Sequence, residues 1–152
     1  MISWLSNHEL TYDDDDKEFK IKFDSSIQKQ ANHLLNEIKK SKIFENKMIG
    51  CAAIILTGLA YQNNKIYLDN GLYFLKEIVK TSIDNNGFPK SRNIKQLSFY
   101  LKYFILIREW FKESQNTIPE LIDETIYYLG INYAFIWQNI NHDILFLSLI
   151  HI

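Results

Sequence analysis

Four consecutive polar residues, Lys90, Ser91, Arg92 and Asn93, stand just before a helical pattern that opens at Ile94. They close a loop, Asn85-Asn86-Gly87-Phe88-Pro89-Lys90-Ser91-Arg92-Asn93, that holds one of the two prolines and one of the five glycines. A helix start presents N–H groups without intrahelical acceptors and the positive end of the helix dipole. Two cations, a hydroxyl and an amide at such a place suit an anion, which composition alone does not name. The same residues also have a purely structural reading. Asn93 would then cap the helix from Ile94, Arg92 would pair with Glu109 or Asp84, and Lys90 would be a solvated charge. Ser91 has no histidine near it in sequence, so nothing supports a nucleophilic triad.

The other chemistry-bearing residues are scattered. Cys51 is the single cysteine, which leaves no internal disulfide and no cysteine-based zinc site. It lies in an apolar run and reads as a small buried residue. His33 sits in a helical pattern without a metal partner at helical spacing, and His8, His142 and His151 add none, so no metal is expected. Asp13-Asp14-Asp15-Asp16-Lys17 resembles an enterokinase cleavage sequence. It lacks the glycine and distal glutamate of a calcium loop, and it reads as the start of a helix, where negative charge is favoured. The formal net charge is −1, so no overall electrostatic attraction to nucleic acid is expected. No cofactor is called for.

These residues need elements to position them. With 152 residues, 47% of them hydrophobic, the chain fits one helical domain. Proline and glycine are too scarce for an all-β protein. Helical spacing of apolar residues predicts helices over Ser25–Lys40, with Asp24 or Ser25 as cap, and over Asn46–Gln62, Lys65–Ser82 and Ile94–Ser114. A fifth starts near Pro119 and Glu120 and is capped by Thr117 or Asn116. The Ile94 helix is apolar nearly all round, which predicts burial from several sides. Gly50 and Gly58 give the second helix small faces, and Gly71 predicts a close contact in the third. Asn139–Asp143 reads as a turn. Ile144–Ile152 is an apolar ending without a cap, as if the chain were cut. The longest apolar stretch, Met48–Tyr61, is too short to span a membrane. The start lacks the features of a signal peptide, which points to the cytoplasm.

The loop supports a more specific expectation. Asn86-Gly87-Phe88-Pro89-Lys90-Ser91-Arg92-Asn93-Ile94 resembles the Asp-Gly-Gly-His-x-Ser-Arg-Asn-Pro loop of bacterial heparinase II/III-like proteins. Gly87, Ser91, Arg92 and Asn93 match, while Asn86, Phe88, Pro89 and Ile94 depart. Trp4-Leu5-Ser6, Phe19 with Phe23, Leu106-Ile107-Arg108-Glu109-Trp110 and Ile118-Pro119-Glu120-Leu121 extend the likeness from Trp4 to about Asp143. The resemblance implies an all-α fold of antiparallel helical hairpins forming part of an incomplete α/α toroid. It makes residues 1–152 the N-terminal fragment of a longer chain ending in a β-sandwich. It also implies β-elimination on a uronic-acid polysaccharide such as heparan sulfate or alginate, without metal or organic cofactor. Asn93 would neutralise the carboxylate so that the adjacent proton can be removed, and Arg92, Ser91 and Lys90 would bind substrate. Pro89 occupies the family's histidine position, and the other catalytic groups would lie on the missing half. This piece is therefore not expected to turn over substrate alone. The alternative is a non-enzymatic helical scaffold that binds a protein through an aromatic groove.

Overall fold

The structure, a computed structural model, describes Ile2 and residues 17–139. Within residues 17–139 it is all-helical: α1 (Lys17–Glu37), α2 (Phe44–Ala60), α3 (Lys65–Ser82), α4 (Ile94–Glu113) and α5 (Glu120–Asn139). No helix among the described residues is long and apolar enough to cross a membrane. The chain divides into two compact units between Leu75 and Lys76, inside α3. The aspartates at 13–16, the turn beyond Asn139 and the apolar run from Ile144 lie outside the described residues.

In the first unit α1 and α2 form a hairpin. Phe23, Ile27 and Ala31 recur every four residues and are buried, which gives α1 its inward stripe. α1 is described from Lys17, eight residues before the expected Ser25, and Phe19, one turn before Phe23, keeps the spacing although it is 41% exposed. The rings of Phe19 and Phe23 lie 6.1 Å apart. Asp24 does not cap the helix as expected; its carboxylate accepts the Tyr61 hydroxyl at 2.8 Å. α1 also ends three residues short of Lys40, where Lys40 pairs with Glu37 at 2.8 Å.

α2 is buried from Gly50 to Leu59 without a break. Met48, Ile54 and Ile55 are wholly inaccessible, and each contributes about 1.5–3 kcal/mol by leaving water. The expected close contacts are present. A Cβ at Gly58 would stand 2.5 Å from the Leu68 backbone nitrogen, and one at Gly71 would stand 2.6 Å from Ile55 Cγ1. Helix backbones therefore touch here, which only glycine permits. Cys51 is buried as expected, and its thiol donates to the Gly71 carbonyl at 3.2 Å. Burial pushes that thiol far above its ordinary pKa.

In the second unit α4 and α5 form a hairpin. α4 buries Leu97, Ser98, Tyr100, Phe104, Ile107, Trp110 and Phe111, more than one narrow stripe, while Ile105 is 44% exposed. Arg108 joins the two helices through Asp123, with Nε 2.7 Å from Oδ1. Asn116 does not cap α5. Its Nδ2 donates to Ser114 O at 3.1 Å and to Ser114 Oγ at 3.0 Å, closing the end of α4. α5 begins directly after Pro119, with Glu120 and Asp123 in its first turn, where carboxylates are favoured.

Candidate functional site

The loop after α3 folds around one carboxylate. Asp84 Oδ1 accepts the backbone N–H groups of Asn86 and Phe88, both at 2.9 Å. Its other oxygen meets Arg92 Nη1 at 2.9 Å. The Phe88 N–H above all, with help from the Asn86 N–H and Arg92 and against the effect of burial, holds this carboxyl below its ordinary pKa. Ile83 and Pro89 form a single antiparallel bridge, and the Lys90 N–H donates to Ser82 O at 2.9 Å. The chain turns at Gly87 with φ +73°, a conformation that favours glycine. Arg92 also has positive φ, 60°, which its two local attachments hold in place: the Asp84 pair and a guanidinium 5.6 Å from the Phe88 ring centre.

Each of the four anion candidates has a local partner. Asn93 caps α4, its Oδ1 accepting the Lys95 N–H at 2.9 Å. Ser91 donates to Gln96 Oε1 at 2.5 Å. Arg92 takes Asp84 rather than Glu109, which lies beside Arg108 and Lys112. Lys90 Nζ donates to Lys80 O, in the last turn of α3, at 2.8 Å. For Asn93 and Arg92 these are the structural roles that the sequence left open, whereas Lys90, read as a solvated charge, is tied to the end of α3.

Of the four, Lys90 lines a hollow among the described residues. A hollow of about 340 Å³ is walled on one side by Val79, Lys80, Ile83 and Asp84 and on the other by Leu121, Glu124, Thr125 and Tyr128, with Asn85, Gly87 and Lys90 between. This volume is at the lower end of ligand sites. The α5 residues fall at i, i+3, i+4 and i+7, one helical face. Their side of the hollow is fixed by close packing, since a Cβ at Gly87 would stand 2.8 Å from the Tyr128 carbonyl carbon. Asn132 Nδ2 reinforces it by donating to Asn86 O at 2.7 Å and Gly87 O at 2.9 Å. Thr125 is only 6% exposed. The residues around the hollow thus supply apolar surface, two ammonium groups, two carboxylates, a hydroxyl and a tyrosine ring.

Ser91, Arg92 and Asn93 are exposed and stand outside this hollow. Position 89, where the resembling family has histidine, is buried and held by the bridge to Ile83. Lys80, Glu124, Thr125 and Tyr128 carry no mark in the sequence that ties them to Lys90. One weak signal was present: Thr125 interrupts an otherwise apolar inward face of α5 with a hydroxyl. Among the other tyrosines, Tyr100 is 1% exposed, and burial raises its pKa against the smaller opposing effect of Ser82. Such a phenol serves the core and is not a base. No group of three or more potential metal ligands occurs among the described residues. In comparison with known proteins, the chain matches no family model, no curated protein and no solved structure.

Proposed function

We propose that this chain is a helical binding module that takes a carboxylate-bearing carbohydrate, such as a uronate unit of an acidic polysaccharide, in the hollow beside Lys90. The observation that carries the reading is the donor set of that hollow. Lys80 and Lys90 suit one carboxylate, Glu124 and Thr125 suit sugar hydroxyls, and the Tyr128 ring offers a flat apolar face. A bare anion such as sulfate is a poorer fit, because Asp84, Glu124 and the C-terminal end of α3 offset the two lysines.

Calorimetric titration with an oligogalacturonate tests this. Binding is expected for the unaltered chain, with an affinity loss of about tenfold, roughly 1.4 kcal/mol, in Lys90→Gln and in Thr125→Val. Lys95→Gln, remote from the hollow, serves as the control. Equal affinity in all four proteins refutes the assignment.

The lyase reading drawn from the loop resemblance is the narrower proposal. Its support is the exposed Asn93 at the start of α4, whose Nδ2 makes no hydrogen bond among the described residues. Asn93→Asp would keep the helix cap and remove that donor. Loss of the ultraviolet absorbance gained on β-elimination, with stability unchanged, is the expected result. Undiminished activity excludes Asn93 from the chemistry.

A further inference from the structure

α5 has two apolar faces, and the second unit uses one of them. The inward face is Ile122, Leu129 and Ile136, which are 0%, 0% and 9% exposed. On the other side Tyr127 and Ile131, one turn apart, are 64% and 49% exposed, and Phe135 a further turn on is 63% exposed. The outward face of a surface helix is normally polar. Here polar residues hold only the first turns of that face. Glu120 and Glu124 precede Tyr127 and Ile131 at i, i+4, i+7 and i+11, and neither glutamate enters an ion pair among the described residues. Arg108 pairs with Asp123, and Lys80 and Lys90, which border the hollow together with Glu124, make no ion pair with it among the described residues. From Glu120 to Asn139 the helix contains no Lys or Arg. Beside Ile131, a Cβ built on Gly130 would meet nothing within 4 Å, so another backbone can come close.

We infer that this face docks an amphipathic helix of a partner protein, apolar along one stripe and basic at the end that meets Glu120 and Glu124. Ridges spaced four residues apart accept the matching ridges of a second helix. The stripe from Glu120 to Ile131 is roughly 16 Å long, about three helical turns. The charge pattern sets the partner's chemistry, because two exposed carboxylates without an ion pair among the described residues are answered at that end by Lys or Arg. A second copy of this chain brings no cation on the corresponding face. The exposed apolar patch is also on the order of a few hundred Å², short of the roughly 800 Å² that each partner of a standing complex buries. A single helix laid along the face, held with modest affinity, is the better match.

The test uses the full chain and two fluorescent peptides of leucine and lysine with the same composition. One has leucines at i, i+3 and i+4 spacing with lysines toward one end, and the other has them evenly dispersed. The amphipathic peptide is expected to bind at least about tenfold more tightly than the dispersed one, as read by anisotropy. Ile131→Glu is informative because it makes the face more acidic. Docking through the apolar stripe predicts that it weakens binding about tenfold, whereas general attraction of a basic peptide predicts tighter binding. Tyr127→Ser is expected to act in the same direction, and Glu120→Lys is expected to reduce the salt dependence. Unchanged or tighter binding in Ile131→Glu and Tyr127→Ser, both with unaltered circular dichroism, overturns the inference. So does a dimer that Ile131→Glu dissociates, which would assign the face to a second copy. A spin label at position 131 that broadens the resonances of residues 144–152 in the free chain would assign it to the chain's own end and overturn the inference equally.

Discussion

Replacing Gly87 with alanine puts a methyl group where the backbone of α5 already stands. Two costs arise. At φ +73° an L side chain is strained, by about 1–2 kcal/mol. The new Cβ would also lie 2.8 Å from the Tyr128 carbonyl carbon and 3.1 Å from its Cα, and it would overlap the Tyr128 Cβ. These atoms belong to a helix and its first side-chain carbon, so they cannot swing aside as the tip of a long side chain can. Overpacking of this kind costs about 1–3 kcal/mol. The sum is roughly 2–5 kcal/mol, or a fall in Tm on the order of 5–15 °C for a chain of this size. Moving α5 outward would also stretch the bonds from Asn132 to Asn86 and Gly87 and open the hollow. Urea and thermal unfolding followed by circular dichroism measure the effect. Gly130→Ala is the internal control. Its Cβ meets nothing within 4 Å, so the same substitution in a helix should raise stability by about 0.5–1 kcal/mol. A loss below about 1 kcal/mol for Gly87→Ala, or equal losses at both glycines, refutes the packing argument.

Two further predictions concern the same loop. Arg92 combines positive φ with an exposed ion pair, and such pairs contribute little. Arg92→Gly should therefore be more stable than Arg92→Ala by about 1 kcal/mol, and the reverse order in urea unfolding would refute the argument from backbone strain at this position. Asp84 has a lowered native pKa, so its stabilisation is fully present above the unfolded-state value near 3.9 and is lost as pH falls through the lower native value. The stability gap between the unaltered chain and Asp84→Asn should accordingly shrink as pH falls from about 6 to about 2. A gap that stays constant over that range would locate the effect of the substitution elsewhere.

The helices were legible because their cause is local. Phe23, Ile27 and Ala31 in α1, or Leu97, Tyr100, Phe104 and Ile107 in α4, announce a helix by spacing alone. The prediction for α3 coincides with the observed Lys65–Ser82. The ends were less legible. Asp24 looks like a cap because it precedes two serines, yet its oxygen goes to Tyr61, 37 residues away. Asn116 looks like a cap for α5 and instead closes α4. A capping side chain has several reachable donors, and packing decides among them.

Composition and spacing alone determined an all-helical chain, a buried thiol at Cys51, the contact at Gly71 and a polar loop before α4. Tertiary structure decided what that loop does. Only the fold brings α5 against Gly87, and only then do Tyr128, Thr125 and Glu124 join Lys90 around one hollow. The sequence separates Lys90 from Tyr128 by 38 positions, and no local preference encodes a contact at that range. The same holds for the outward stripe of α5. Tyr127 and Ile131 look like core residues by type, and they become a candidate docking surface because Ile122, Leu129 and Ile136 already fill the inward side.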